Sequence, residues 1–475
     1  MKRHIIKMSS LKNNFKYALF AQLITLCTSC IMSFFLPKFI SLVDYSYWQL
    51  FVFYNMLIVF LNLGYSEGIY LKHAGINKNK IFNLNLSHHF SNICYLQCLF
   101  SIVIVCYALL IEDQDKKIIF YYIAFAVIVN NLSDFFCYIF QTINQIRLYS
   151  KIIIIYNSIF LFSLCSVLAI SWFGDFVLDY RVVIFLYVGA RFLGLLVGIW
   201  EAFRLGIFDI GLGKISLGTD KIYSGYQYIK IGMYLAVSNL CSFLILGINR
   251  IGIEAVWGLA AFGLISFSLQ LCNFTIIFLK QIALVLFPHM RKLSIEENRK
   301  TYMFLSNKID GYGPCILLFY IPIKVFILYW LPSYEVVCDY LVILLPICLY
   351  EAKMQLLGVT FLKLYRKEKT LLKINLIALV FSIILFFVCA YIYPIFEMVV
   401  YSMVISIIFR SLITEYLIKK IIFQLNDMGK SIILLCFVIC FNILFINFNL
   451  YVAGVIYGIL SVFYIILFHS WLNFR

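Results

Sequence analysis

Seven ionisable residues lie inside long apolar stretches of the sequence, where a charge is costly unless a partner or a polar cavity receives it. Five are cations and two are acids: Arg191, Lys280, Lys324, Lys353, Arg410, Asp134 and Glu351. Arginine binds phosphate through two parallel hydrogen bonds and stays charged at any physiological pH. Because the internal cations outnumber the internal acids, the pattern favours a net-positive cavity for an anionic, phosphate-bearing ligand.

The two arginines also have a structural interpretation. Arg191 and Arg410 fall near the midpoints of their apolar stretches and cannot easily reach either membrane surface. Each could form an ion pair with an acid of the same half of the chain, Asp134 or Glu351. Lys353 is only two residues from Glu351 and faces a different side of the helix, so these two should not neutralise each other.

Three carboxyl groups, those of Asp134, Glu351 and Glu67, are ion-coupling candidates, because membrane proton relays commonly use this residue type. Alternatively, Asp134 and Glu351 could each serve only to neutralise the arginine of the same half of the chain. Glu67 lies about one turn from the inner end of its stretch, so its carboxylate could instead extend to the membrane surface. Lys280 has the same alternative. The candidate substrate-binding cations are Arg191, Arg410, Lys324, Lys353, Lys280 and Arg250.

The composition places these residues in a membrane protein. Of 475 residues, 64% are hydrophobic and 13% are charged, whereas soluble proteins have about 45–50% apolar and about 25% charged residues. No stretch remains that could fold as a soluble enzyme domain, and the continuous apolar runs exclude a transmembrane barrel. Since helices satisfy their own backbone groups in lipid, the sequence predicts an all-α polytopic membrane protein.

Fourteen apolar segments are each long enough to cross a bilayer as a helix, for which about 20 residues suffice. They lie at 17–36, 47–71, 90–111, 118–146, 152–173, 182–203, 231–249, 258–288, 311–331, 337–362, 374–393, 396–418, 431–447 and 450–471. Connections on the side of the N-terminus hold 28 of the 38 lysines and arginines, and those on the opposite side hold 5. This asymmetry predicts cytoplasmic termini, and it explains the net charge of +16 without a nucleic-acid partner.

The sequence contains a weak internal repeat. Asp134 and Glu351 are 217 residues apart, and Arg191 and Arg410 are 219 residues apart. An even number of helices per half gives both copies the same orientation in the membrane, as in transporters built from parallel repeats. We therefore predict a cytoplasmic tail (1–16), an N-lobe of helices 1–6 (17–203), a cytoplasmic linker (204–230), a C-lobe of helices 7–12 (231–418) and two extra helices (419–475).

Short motifs open each predicted lobe. They are NFKYA at 14–18, LPKF at 36–39, YWQLF at 47–51, LGYSEGIYLK at 63–72, LGINR at 246–250, WGL at 257–259 and LFP at 286–288. Together they resemble the Wzx-type polysaccharide flippases of the MATE-like (MOP) exporter superfamily. The resemblance implies two six-helix lobes, a cationic central cavity, alternating access and a polyprenol-pyrophosphate-linked oligosaccharide as substrate.

We therefore predict a flippase for undecaprenyl-pyrophosphate-linked O-antigen or capsule units in a bacterial inner membrane. It is expected to be no enzyme and to need no cofactor or metal. Expected partners are the lipid-linked glycan and membrane lipid, with a glycan polymerase and chain-length proteins as further candidates. One alternative is a MATE-like drug or cation antiporter, whose cavity should be rich in acids. Another is a membrane glycan polymerase or ligase, which the short outward loops disfavour.

Overall fold

The computed structural model of the chain describes the backbone of residues 2–74, 86–174, 177–207, 219–290, 293–392, 394–423 and 429–473. Within these ranges all regular structure is helical. The helices divide by their contacts into two compact units, Met1–Leu240 and Cys241–Arg475. The boundary between the units falls inside a helix, whereas the predicted lobes are separated by residues 204–230, and these lobe limits stay a prediction.

The described residues of the first unit form six helical runs and the beginning of a seventh. They are α1 (Lys2–Cys30, continued by Ile31–Phe35 and Leu36–Phe39), α2 (Leu42–Ile58, Val59–Asn62 and Tyr65–His73), α3 (Leu86–Leu109), α4 (Gln114–Thr142), α5 (Ile146–Phe173), α6 (Tyr180–Arg204) and α7 (219–257). Side-chain caps fix three of the starts: Ser41 accepts from a backbone N–H group of α2, Asp113 accepts from two of α4, and Asp179 accepts from one of α6. Such caps satisfy N–H groups that have no partner within the helix.

Helix α2 is broken, although the sequence predicted one continuous span over 47–71. Leu63 and Gly64 have positive φ angles of 51° and 76°, and the two parts of α2 are bent by 53°. Only a residue without a side chain fits at Gly64, because an added Cβ would lie 2.5 Å from the backbone carbonyl carbon of Gly232 on α7. The break thus lets α2 and α7 approach each other backbone to backbone.

The second unit contains the end of α7 and seven further runs in its described residues. They are α8 (259–290), α9 (Ile295–Leu317 and Tyr320–Trp330), α10 (Val337–Leu344, Pro346–Lys353, Met354–Val359 and Thr360–Leu364), α11 (Glu368–Phe387 and Val388–Ile392), α12 (Phe396–Ile421), α13 (Gly429–Asn447) and α14 (Leu450–Asn473). Gly258 separates α7 from α8 with a φ of 86°. The first part of α9 continues through Pro314 and ends at Leu317.

Most of these runs can cross a membrane. Eleven described helices are long and apolar enough, and the bent pair of α2 makes a twelfth. One of the eleven, Gly225–Asn273, contains the break at Gly258 and so belongs to both α7 and α8. With α14, whose apolar part is Leu450–Ile466, the predicted all-α fold of fourteen helices is confirmed. The orientation of the termini stays a prediction.

One helix in each unit is much more enclosed than its neighbours. In the most apolar stretch of 18 residues in each helix, 78% of the residues of α4 and 89% of those of α10 are buried, compared with 17% of those of α3. Asp134 lies on α4 and Glu351 lies on α10. The two acids of the predicted repeat therefore occupy the central helix of their own unit, where an ionised group needs partners within the protein.

Candidate functional site

In the second unit, the acid and the arginine of the predicted repeat form a direct ion pair. The Arg410 guanidinium on α12 donates to Glu351 on α10. It also donates to the Ser242 hydroxyl on α7 over 2.6 Å, and the Arg410 side chain is only 1% exposed. The geometry thus shows the structural interpretation of Arg410, an ion pair with an acid of the same half of the chain. A role of Arg410 in substrate binding stays a prediction.

Lys353 is enclosed by a second group of charges. Its ammonium donates to Asp310 on α9 and to Glu415 on α12, each over 2.7 Å, and to Ser431 on α13 over 3.1 Å. Lys419 donates to the other oxygen of Glu415 over 2.6 Å. Two cations and two acids balance, so this group is neutral and ties four helices of the second unit together.

The sequence did not reveal this group. Asp310 lies one residue before the apolar segment at 311–331, and Glu415 lies three residues before the end of the segment at 396–418. Neither acid therefore stands out as a charge in the middle of an apolar segment. Lys353 and Glu351 do belong to different ion pairs, as their spacing predicted.

In the first unit, Arg191 on α6 is arranged differently from Arg410. Its guanidinium carbon lies 4.1 Å from the centre of the Tyr156 ring on α5 and 5.7 Å from that of Tyr187. Its Nε is buried without a hydrogen-bond partner. Asp134 interacts with Arg191 electrostatically, but among the described residues Arg191 has no ion pair within 4.0 Å. This arginine is held by aromatic faces rather than by a carboxylate.

Glu67 lies on the second part of α2, beside the same charges. The Tyr138 hydroxyl on α4 donates to Glu67 Oε1 over 3.2 Å, while Oε2 is buried without a partner. Asp134 interacts electrostatically with the Glu67 carboxylate. The first unit therefore brings together Arg191, Asp134 and Glu67, with one formal positive charge and two formal negative charges.

Two of the remaining candidate cations, Arg250 and Lys324, make contacts of their own. Arg250 donates through Nε and Nη2 to the Ser266 hydroxyl over 3.1 and 2.7 Å, and its guanidinium lies 5.1 Å from the Phe262 ring. The Lys324 ammonium lies 5.7 Å from the ring of Tyr320 on the same part of α9. The side chain of Lys280 lies outside the described residues.

The two units therefore differ in what they can do chemically. In the second unit, both buried acid–cation groups are internally neutral, which favours a structural role. In the first unit, an arginine without a carboxylate partner can accept an anion, while two carboxyls nearby can accept a proton or a cation. Of the predicted site residues of the first unit, Asp134 interacts electrostatically with both Arg191 and Glu67.

No family model and no curated protein matches the chain by sequence. Several solved structures share its fold. A multidrug resistance MATE family transporter of the MOP superfamily, inward-facing, has a TM-score of 0.58 at 10% identity over 86% of this chain and 99% of that chain. The lipid II flippase MurJ, in an inward closed conformation, has a TM-score of 0.57 at 13% identity over 96% of this chain and 98% of that chain. The Vibrio cholerae MATE transporter VcmN has a TM-score of 0.55 at 13% identity over 88% of this chain and 98% of that chain. The chain thus has the MATE-like fold of MOP-superfamily transporters.

Proposed function

We propose that the chain is a flippase that moves a polyprenol-pyrophosphate-linked oligosaccharide, a precursor of O-antigen or capsule, across the bacterial inner membrane by alternating access. The observation that carries this proposal is the state of Arg191. It is an arginine within a membrane-spanning helix, and it forms no ion pair among the described residues. Retaining such a charge in a membrane is costly, and a charged residue of this kind usually serves a ligand.

The surroundings of Arg191 suit a pyrophosphate. The Tyr156 ring covers one face of the guanidinium, and the N–H groups at the edge of a stacked guanidinium remain able to donate. The N–H groups of a guanidinium form a planar fork, and the oxygens of a phosphate group match its spacing. Two parallel hydrogen bonds can therefore form. The neighbouring acids would repel an anion, which makes the charge state of Asp134 and Glu67 a control on binding.

The fold is consistent with a large lipid-linked substrate. The structure of MurJ, a lipid II flippase, covers almost the whole chain. The predicted orientation, with both termini in the cytoplasm, would suit a glycan that is assembled on the cytoplasmic side. The motifs that resemble Wzx-type flippases favour O-antigen or capsule units over lipid II.

A second candidate function is antiport of a cationic drug. It is favoured by one observation, the proximity of the two carboxyls of Glu67 and Asp134 in the first unit. MATE transporters also share the fold. In that case the acids would be the binding groups, and Arg191 would serve only to moderate their charge.

Reconstituted vesicles can separate the two candidates. We expect the wild-type protein to flip a labelled polyprenol-pyrophosphate oligosaccharide and to leave a cationic dye untransported. Arg191→Ala should abolish flipping, and Arg191→Lys should restore it only partly, because lysine lacks the planar fork. Arg181→Ala is the matched control, since Arg181 lies at the start of the same helix and pairs with Asp115.

The proposal fails if Arg191→Ala flips the glycan at the wild-type rate. It also fails if the dye is transported and the glycan is not, which would instead establish the antiporter. A flipping rate reduced equally by Arg191→Ala and Arg181→Ala would leave Arg191 without a specific role in binding.

A further inference from the structure

Basic and aromatic side chains cluster where three helices of the first unit meet one membrane boundary. Arg147 and Lys151 lie in the first two turns of α5, and Trp200 and Arg204 lie in the last two turns of α6. The Arg147 guanidinium lies 4.8 Å from the centre of the Tyr17 ring, at the start of the apolar part of α1. The start of that apolar part, the start of α5 and the end of α6 are therefore on the same side of the membrane.

The Trp200 indole is at the centre of this basic cluster. The Lys151 ammonium lies 5.1 Å from the centre of the Trp200 ring, and the Arg204 guanidinium lies 5.6 Å from it. Trp200 is nevertheless 56% exposed. Exposed tryptophans at the ends of membrane helices lie at the level of the lipid headgroups. Because an aromatic face attracts a cation, Trp200 holds both charges at that level.

The basic cluster has more positive than negative charge. Glu201 is buried and forms ion pairs with Lys151 and, over 3.8 Å, with Arg204. It is the only acid in the sequences of α1, α5 and α6. The third cation, Arg147, contacts the Tyr17 ring instead of a carboxylate. Three cations thus accompany one carboxylate, and protonation of Glu201 would only enlarge the excess of positive charge.

The geometry of the basic cluster suits a lipid phosphate. The positive-inside rule alone accounts for basic residues in loops, whereas these cations belong to helices and are held by Glu201 and Trp200. The side chains of Lys151 and Arg204 remain 39% and 67% exposed, so a phosphate at the membrane surface can reach them. Basic pockets between membrane helices bind the headgroups of anionic lipids, and a guanidinium can donate two parallel hydrogen bonds to one phosphate.

The surface below the basic cluster suits the hydrocarbon chains of the same lipid. In the most apolar stretch of 18 residues, only 28% of the residues of α5 and 39% of those of α6 are buried. Both helices therefore present apolar side chains to the membrane directly next to the cluster. A molecule with a phosphate and hydrocarbon chains can contact both surfaces at once, whereas a free phosphate can contact only the cations.

We propose that the basic cluster binds one anionic phospholipid. Arg147, Lys151 and Arg204 donate to its phosphate oxygens, and its acyl chains lie along α5 and α6. In the predicted orientation this lipid belongs to the cytoplasmic leaflet. The site does not depend on the proposed function, because its ligand carries no glycan and Arg191 lies nine residues before Trp200, near the middle of α6.

The test uses the purified full-length protein in detergent, titrated with phosphatidylglycerol as the anionic probe or phosphatidylcholine as the zwitterionic probe. Native mass spectrometry counts the bound lipids. We expect one phosphatidylglycerol for each chain to bind at least about tenfold more tightly than phosphatidylcholine. Arg147→Gln removes a cation that has no ion pair among the described residues, so the protein should fold and bind phosphatidylglycerol about fivefold more weakly. Arg204→Gln should weaken binding by a similar factor.

The matched control is Arg181→Gln. It removes the same charge from the opposite end of α6, where Arg181 pairs with Asp115, and should leave phosphatidylglycerol affinity unchanged. Equal affinity for the two lipids would overturn the site, and so would wild-type affinity in both Arg147→Gln and Arg204→Gln. An equal loss in Arg181→Gln would show a general effect of net charge and would also refute the site. Displacement of phosphatidylglycerol by inorganic phosphate would assign the cluster to a soluble anion instead.

Discussion

The acid and the arginine of the predicted repeat occur in both units, but only one couple forms an ion pair. Glu351 and Arg410 are bonded directly in the second unit. Asp134 and Arg191 in the first unit interact only over a longer distance, and Arg191 packs on Tyr156 instead. The comparison teaches that the same residue types, at one sequence offset, can be structural in one copy and available for a ligand in the other.

A second difference accompanies the first. The second unit adds Lys353 to a network with Asp310, Glu415 and Ser431, which ties α13 to the helices around α10. In the first unit, the buried Glu201 on α6 pairs with Lys151 on α5 and with Arg204, so its charged group ties together two helices rather than four. The proposed role of Arg191 in binding the substrate therefore belongs to the first unit.

The largest expected effect comes from breaking the ion pair of the second unit. Arg410→Ala leaves Glu351 buried without its cation and should lower the free energy of unfolding by about 3–5 kcal/mol. The measurement is the Tm of the purified protein together with its level in the membrane. In the double variant Glu351→Ala with Arg410→Ala, much of the lost stability should be recovered. If the losses of the two single variants simply add, the ion pair between the two residues does not contribute to stability.

The next effect concerns the break in α2. Gly64→Ala puts a side chain at a positive φ, which costs about 1–2 kcal/mol by itself, and brings Cβ to 2.5 Å from the Gly232 backbone. We expect a lower Tm. Gly189→Ala on α6 is the control, because its Cβ would meet nothing within 4 Å. It should be neutral or slightly stabilising, and an equal Tm for the two variants would show that the break is not needed.

Arg191→Ala should affect stability far less than Arg410→Ala does. Because Arg191 has no described ion pair to lose, we expect a cost of about 1 kcal/mol, typical of a single substitution, while flipping is lost. Thermal unfolding and a flipping assay on the same preparation provide the comparison. A loss of stability as large as that of Arg410→Ala would mean that both arginines are structural, and the difference between the units would disappear.

The smallest expected effect belongs to the exposed ion pair at the start of α6. Arg181 lies 2.5 Å from Asp115, and their side chains are 48% and 36% exposed. Exposed pairs of this kind contribute about 0.2–1 kcal/mol, so Arg181→Ala should shift the Tm only slightly. High salt should remove even that difference, because it screens exposed charges. A large shift would mean that the loop charges stabilise the first unit more than its buried group does.

Part of the candidate site could be predicted from the sequence. Asp134, Arg191 and Glu67 stand out because a charge within an apolar segment is rare and costly. The partners of Lys353 could not be found in this way, since they come from residues 43 and 62 positions away in the chain.

The sequence by itself determined the fourteen helices. In lipid each backbone group must be satisfied within its own segment, so each helix can be recognised from its local run of apolar residues. The tertiary structure was needed to show which charges neutralise one another, where α2 is broken and which arginine remains without a carboxylate. Those outcomes depend on the packing of helices distant in sequence, which places Arg410 against Glu351 but Arg191 against Tyr156.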